Sequence, residues 1–268
     1  MKKLTTLKIK DHKLKEKKVP LQMLTCYDFQ TAQMLNQTEL DLILVGDSVG
    51  NVVLGYDTTI HVSLDEMKIF VAAVKRGAPD KFIVADLPFG SYSTVEQGLT
   101  SAVELFQYTG AESVKLEGAF PYQLELIERL TQIGIPVMGH IGLTPQSVHE
   151  LGGYYVHGKD EDSANKLVQE ALKLQKAGCF AVVLECVQKD IATLITNELS
   201  IPTIGIGAGD KTDGQVLVFN DLLQMGPKRP PKFCTPVANL FELKKELIEQ
   251  YLTDKKKVKN VEEESSVH

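Results

Sequence analysis

Residues 176–186 read KAGCFAVVLEC. The stretch holds the end of an amphipathic helix, a glycine, and an apolar β-branched run that stops at a carboxylate. It decides the fold because the same grammar recurs. Lys75-Arg76-Gly77 precedes FIVAD at 82–86, Tyr108-Thr109-Gly110 precedes SVKLE at 113–117, and Gln132-Ile133-Gly134 precedes IPVMGH at 135–140. Glycine suits each junction because helices commonly stop with a residue at positive φ, which glycine adopts without a Cβ clash. Helix starts are marked as well: Ser63-x-x-Glu66 and Thr94-x-x-Gln97 have capping-box spacing. The strand runs lack strict in/out alternation, which is how parallel strands covered on both faces read. Eight runs are found, near 21–27, 41–47, 82–87, 113–117, 135–141, 181–186, 202–207 and 215–219. Eight strands alternating with helices predict an α/β fold of the (β/α)8 TIM-barrel type. An open, doubly wound sheet is the competing architecture.

Outside this core the composition narrows the function classes. The 268 residues are 43% apolar and 24% charged, ordinary globular usage that excludes a collagen, a simple coiled coil or a wholly disordered chain. Lys and Arg number 29 against 35 Asp and Glu, a net charge of −6 that argues against nucleic acid as a partner. No apolar run approaches the ~20 residues of a membrane span. The initial lysines are not followed by an apolar signal segment, so a cytoplasmic location is expected. Four cysteines, at 26, 179, 186 and 234, form no C-x-x-C pair and are expected to be free, buried thiols. Residues 1–18, with eight lysines, predict a solvated basic arm or helix. Residues 19–253 predict one catalytic barrel domain whose last part, 237–253, is a further amphipathic helix, and residues 254–268 a disordered charged tail.

The placement of ionisable groups carries the chemistry. Asp47 and Ser48, Asp86, Lys115 and Glu117, His140, and Glu185 all fall at the C-terminal ends of predicted strands. Barrels assemble their sites from the ends of several strands, so these residues are expected to converge. Asp47, Asp86 and Glu117 would form a hard oxygen cluster whose mutual repulsion calls for a counter-charge. All-oxygen ligation favours Mg²⁺ over Zn²⁺. Lys115 and Glu117, two apart on a strand, point the same way. The lysine suits an anionic substrate group, or else forms a salt bridge with a neighbour. Glu185 ends an apolar strand, where a carboxylate either pairs with a cation or sits desolvated as a general base. His140 is either a hydrogen-bonded core histidine or a supporting group in the site. Gly50–Gly55 begins a loop that runs up to the helix expected at 63–76 and is long enough to serve as a lid. Gly205-Ile-Gly-Ala-Gly209 lacks the pattern and lysine of a phosphate loop and reads as close packing.

Together, VGDSVGNVVLGYDTTIHVSLDEM (45–67), VADLPFGSY (84–92), SVKLEG (113–118), PVMGHIGLTPQSV (136–148), GGYYVHGK (152–159), VLECV (183–187) and IPTIGIGAGDKTDGQVLV (201–218) resemble the ketopantoate hydroxymethyltransferase family. That family sits in the phosphoenolpyruvate mutase/isocitrate lyase group of barrels. The resemblance implies Mg²⁺ held by Asp47, Asp86 and Glu117, substrate bound by Asp47, Ser48, Asp86 and Lys115, and Glu185 as proton acceptor. It implies hydroxymethyl transfer from 5,10-methylenetetrahydrofolate, a co-substrate, to 3-methyl-2-oxobutanoate in pantothenate biosynthesis. It also implies a homo-oligomer, often a decamer. The residues that bind the folate are not marked by any pattern. Two alternatives stay open: a Mg²⁺-dependent lyase or mutase acting on another 2-oxo acid, and a non-catalytic barrel scaffold. The segment 118–120, PPKFCTP at 230–236, and the chain's last residues depart from the family pattern.

Overall fold

A computed structural model of the chain describes residues 3–13 and 19–265, with side chains described as far as residue 255. Residues 1–2 and 14–18 of the expected basic arm and 266–268 of the expected tail lie outside the described residues. Eight parallel strands close into a barrel in sequence order. They are β1 (Leu21–Thr25), β2 (Leu42–Val45), β3 (Phe82–Asp86), β4 (Ser113–Glu117), β5 (Val137–Gly142), β6 (Ala181–Glu185), β7 (Thr203–Ile206) and β8 (Gly214–Leu217). β1 pairs with β8 as well as with β2, which completes the closure and excludes the open sheet. Helix α1 (Thr6–His12) precedes the first strand. The crossovers carry α2 (Phe29–Asn36), α3 (Leu64–Gly77), α4 (Val95–Thr109), α5 (Pro121–Gln132), α6 (Val148–Leu151), α7 (Glu161–Ala177) and α8 (Lys189–Glu198).

The barrel interior is filled by alternate residues of the strands. Leu21, Met23, Leu42, Leu44, Phe82, Val84, Met138, Ala181, Val183, Ile204 and Ile206 belong to one buried cluster. At its lower end Phe82 meets Phe180 edge to face, with ring centroids 5.6 Å apart. Side chains of a strand repeat with a period of two. The next interior positions above Val84, Met138 and Val183 are therefore Asp86, His140 and Glu185. The polar strand ends are the top layer of the same interior.

Local details follow the sequence with instructive exceptions. Ser63 and Glu66 form the full capping box at the start of α3. At α4, Thr94 Oγ1 accepts from the Gln97 N–H, but the Gln97 side chain donates to Gly90 instead. Gly110, Gly134 and Gly178 adopt positive φ, as expected. Gly77 does not: it ends α3 where a Cβ would lie 2.5 Å from the Phe29 carbonyl oxygen and 2.7 Å from Ala32 Cβ. Glycine is required there by the close approach of α2. The four cysteines are free, and burial pushes the Cys26 and Cys179 thiols up to about 12.

Both ends of the chain differ from the sequence reading. α1 is not simply solvated, because its Ile9 is fully buried in the barrel cluster. Lys13 pairs with the buried Asp213 at 2.8 Å, which in turn accepts from the Thr203 N–H. Residues Met1–Val218, which hold all eight strands, group as one compact unit, and Phe219–His268 as a second. The second unit contains α9 (Phe219–Leu222) and α10 (Leu240–Ser265). Its long helix continues through residues 254–265, which were expected to be a disordered tail. Among the described residues no helix is long and apolar enough to cross a membrane.

Candidate active site

Asp47, Ser48, Asp86, Lys115, Glu117, His140 and Glu185 line one cavity of about 180 Å³ at the C-terminal mouth of the barrel. The strand register explains the convergence: Asp86 lies beside Lys115 on β3 and β4, and Glu117 beside His140 on β4 and β5. Lys115 Nζ is 3.0 Å from Asp86 Oδ1 and 3.3 Å from His140 Nδ1. His140 bridges two carboxylates, with Nδ1 3.4 Å from Glu117 and Nε2 3.3 Å from Glu185. Glu185 Oε2 thus has the His140 ring as its neighbour at the end of β6. Ser48 Oγ lies 2.8 Å from the Tyr27 hydroxyl. The loop read as a candidate lid contributes Asn51 and Thr59 to the cavity wall.

The electrostatics are those of a crowded anionic cluster. Burial, followed by the charges of Asp86 and Glu117, holds the Asp47 carboxyl well above the usual carboxylate range. Burial also raises Asp86, against the opposing pull of Lys115. Burial works against ionisation of Glu117 too, but its contacts with His140 and Lys115 win and its pKa falls. For Lys115, burial disfavours the charged form, yet Asp86, Glu117 and Asp47 outweigh it and the pKa rises. Burial and the nearby Lys115 charge lower His140, but its bonds to Glu117 and Glu185 prevail and lift it to about 9.

The family model for ketopantoate hydroxymethyltransferase matches residues 3–260. The chain belongs to the ketopantoate hydroxymethyltransferase family. It is 50% identical over 245 residues to a 3-methyl-2-oxobutanoate hydroxymethyltransferase of Geobacillus sp. (strain WCH70), covering 91% of this chain and 88% of that one. The enzyme of the same name from Thermosipho africanus (strain TCF52B) is 51% identical over 249 residues, 92% of each chain. Among solved structures, phosphoenolpyruvate phosphomutase from Streptomyces platensis subsp. rosaceus matches with a TM-score of 0.59 at 12% identity, covering 81% of each chain. Phosphonopyruvate hydrolase in complex with oxalate and Mg²⁺ gives 0.59 at 13%, covering 80% of this chain and 81% of its own. At these identities the structural matches speak for the barrel fold alone.

Within this hydroxymethyltransferase fold, the donor set fits a divalent cation in a particular way. With all groups ionised, four carboxylates face two cations, so the cluster is short by two positive charges. Among the described residues no three His, Cys, Asp or Glu side chains gather as a ready-made metal shell. Glu117 is already engaged, one oxygen near His140 and the other accepting from the Gln146 N–H at 3.0 Å. Asp86 is engaged likewise, by Lys115 at Oδ1 and by the Asp47 N–H at Oδ2, 3.1 Å away, so a cation here would share these carboxylates with their present partners or reach them through water. That suits Mg²⁺, which takes one or two carboxylates and keeps several waters.

Sequence reasoning missed three residues in and behind this cavity. Gln146 and Tyr92 are buried behind the carboxylates, and Tyr154 reaches the cavity from a loop that begins Gly152-Gly153, both at positive φ. Each lies in a loop, where no hydrophobic period announces a side chain's direction. Their one signal was membership in the stretches LTPQ, FGSY and GGYY that carry the family resemblance.

Proposed function

We propose that the cavity binds 3-methyl-2-oxobutanoate and that the chain transfers a hydroxymethyl group to it from 5,10-methylenetetrahydrofolate. Water is consumed, and 2-dehydropantoate and tetrahydrofolate are formed. The observation that carries the reading is the convergence of Lys115, the Asp47/Asp86 pair and Glu185 on one cavity in a chain of this family. Asp47, Asp86 and Glu117 would hold Mg²⁺ as one set, some of them through water. When bound, the cation stabilises the negative charge that develops on the substrate's keto oxygen.

The protein's own groups do the rest. Lys115 sits where its ammonium neutralises the substrate carboxylate, and Ser48, braced by Tyr27, donates a hydrogen bond to the same end. Glu185 is the base: it takes the C3 proton, and the electron pair of that C–H bond passes into the C2–C3 bond. Water cleaves the two C–N bonds of the donor's methylene carbon, releasing tetrahydrofolate with the carbon at the level of formaldehyde; C3 bonds to that carbon as its C=O pair moves to oxygen, and the proton taken by Glu185 ends on that oxygen as the product hydroxyl. His140, held between Glu117 and Glu185, fixes the orientation of the Glu185 carboxylate. Fixed charges that need no rearrangement during the reaction are the main source of such rate enhancement.

The test is direct: the purified chain, both substrates and Mg²⁺ should give 2-dehydropantoate by mass spectrometry, and chelation should stop it. Absence of product from a folded, Mg²⁺-supplied sample would overturn the reading. The homo-oligomer, a decamer, belongs to the same proposal and is checked by sedimentation.

A further inference from the structure

Gln146 stands in the short turn Pro145–Ser147 that follows β5, and it is buried. Its side-chain NH₂ donates to Asp47 Oδ2 at 2.8 Å and to the Leu87 carbonyl at 3.0 Å. Its Oε1 accepts from the Tyr92 hydroxyl, and its backbone N–H donates to Glu117 Oε2 at 3.0 Å. The Tyr92 hydroxyl closes the ring by accepting from the Glu117 N–H at 3.3 Å. Asp47 and Glu117 come from the ends of different strands, β2 and β4, and repel each other. One neutral residue grips both.

From this geometry we infer that Gln146, locked by Tyr92, is a positioning residue that sets Asp47 and Glu117 for cation binding. The inference rests on the metal reading of the site given above. Only one orientation of the amide works. Turned over, its oxygen would face the carboxylate of Asp47 and the carbonyl of Leu87, two acceptors. The Tyr92 hydroxyl, donating to Oε1, selects the working orientation. Gln146 occupies Oδ2 of Asp47, and no hydrogen bond among the described residues reaches Oδ1. The amide therefore decides which oxygen is left for the cation. A neutral donor also leaves the negative field of the cluster intact. A lysine in its place would cancel the charge that draws the cation, and a glutamate would repel Asp47.

The test uses the full chain without substrate and Mn²⁺ as probe, with the free ion followed by its EPR signal. Loss of partners outside a metal's ligand set weakens binding about 10–100-fold. Gln146→Met, near in volume but unable to donate, is expected to weaken Mn²⁺ binding by that factor. Tyr92→Phe, which keeps the ring, should show a smaller loss of the same kind. The double variant should lose less than the sum of the two single losses, because the Tyr92 hydroxyl orients the Gln146 amide. The unfolding midpoint of each variant is compared in chelator, so that a change in fold is separated from a change in affinity. Tyr92→Phe serves on its own if Gln146→Met does not fold. Variants that bind Mn²⁺ as tightly as the parent, or losses that add in the double variant, overturn the positioning role. A parent that binds no Mn²⁺ overturns the metal reading and the role with it.

Discussion

Lys115→Met removes a buried cation from beside three carboxylates and puts an apolar chain of similar length in its place. The ammonium's nearest carboxylate oxygen is Asp86 Oδ1, 3.0 Å away. At an effective dielectric constant of about 20, unit charges at that separation attract by about 5 kcal/mol. Part of this is returned, because the ammonium no longer has to be stripped of water. The expected net loss is about 3–5 kcal/mol, the range for leaving one partner of a buried pair alone. The assay is urea unfolding in chelator at about pH 8, parent against variant. The gap should narrow on acidification, since the variant's uncompensated carboxylates take up protons more readily than the parent's. Excess Mg²⁺ should narrow it too. Equal stabilities at about pH 8, or a gap that widens toward acid, would refute the electrostatic reasoning.

Gly77→Ala places a methyl group against the Phe29 carbonyl and Ala32. It should cost about 1–3 kcal/mol by overpacking, read by thermal unfolding, with the catalytic constants of the folded enzyme unchanged. The His140 pKa is raised from 6.5 to about 9, so its contribution is fully present below 6.5 and is lost as pH rises through about 9. The stability advantage of the parent over His140→Gln should therefore fall by about 3 kcal/mol across that window, measured by unfolding at a series of pH values. Asp86→Asn should raise the Mg²⁺ concentration needed for half activity by about 100-fold or more, and an unchanged requirement would remove Asp86 from the metal site.

Most of the barrel was legible because both faces of its strands are buried, which leaves short apolar runs with sharp polar ends. The observed strands agree with the expected ones to within about two residues, the usual uncertainty of element ends. The site was legible for the same reason: Asp86, Lys115, Glu117, His140 and Glu185 are the residues that break apolar strands at their ends. What escaped has no such contrast. Gln146 and Tyr92 matter through hydrogen bonds to residues far away in the chain, and a single sequence does not encode those partners in any period. Ile9 is one buried residue in a lysine-rich segment, so composition hid its packing. Gly77 looked like the other helix-ending glycines, yet its cause is a neighbouring helix rather than its own φ. The 254–265 segment carries runs of like charge that read as disorder, and the helix continues through them.

The proposed chemistry turns on Glu185 removing the C3 proton of a 2-oxo acid held in this cavity. Proton NMR of 3-methyl-2-oxobutanoate in D₂O, with the chain and Mg²⁺ but no folate, tests it most directly. Loss of the C3 proton signal is expected with the parent and none with Glu185→Gln, while the variant still binds the acid. Exchange by Glu185→Gln at the parent's rate would contradict it.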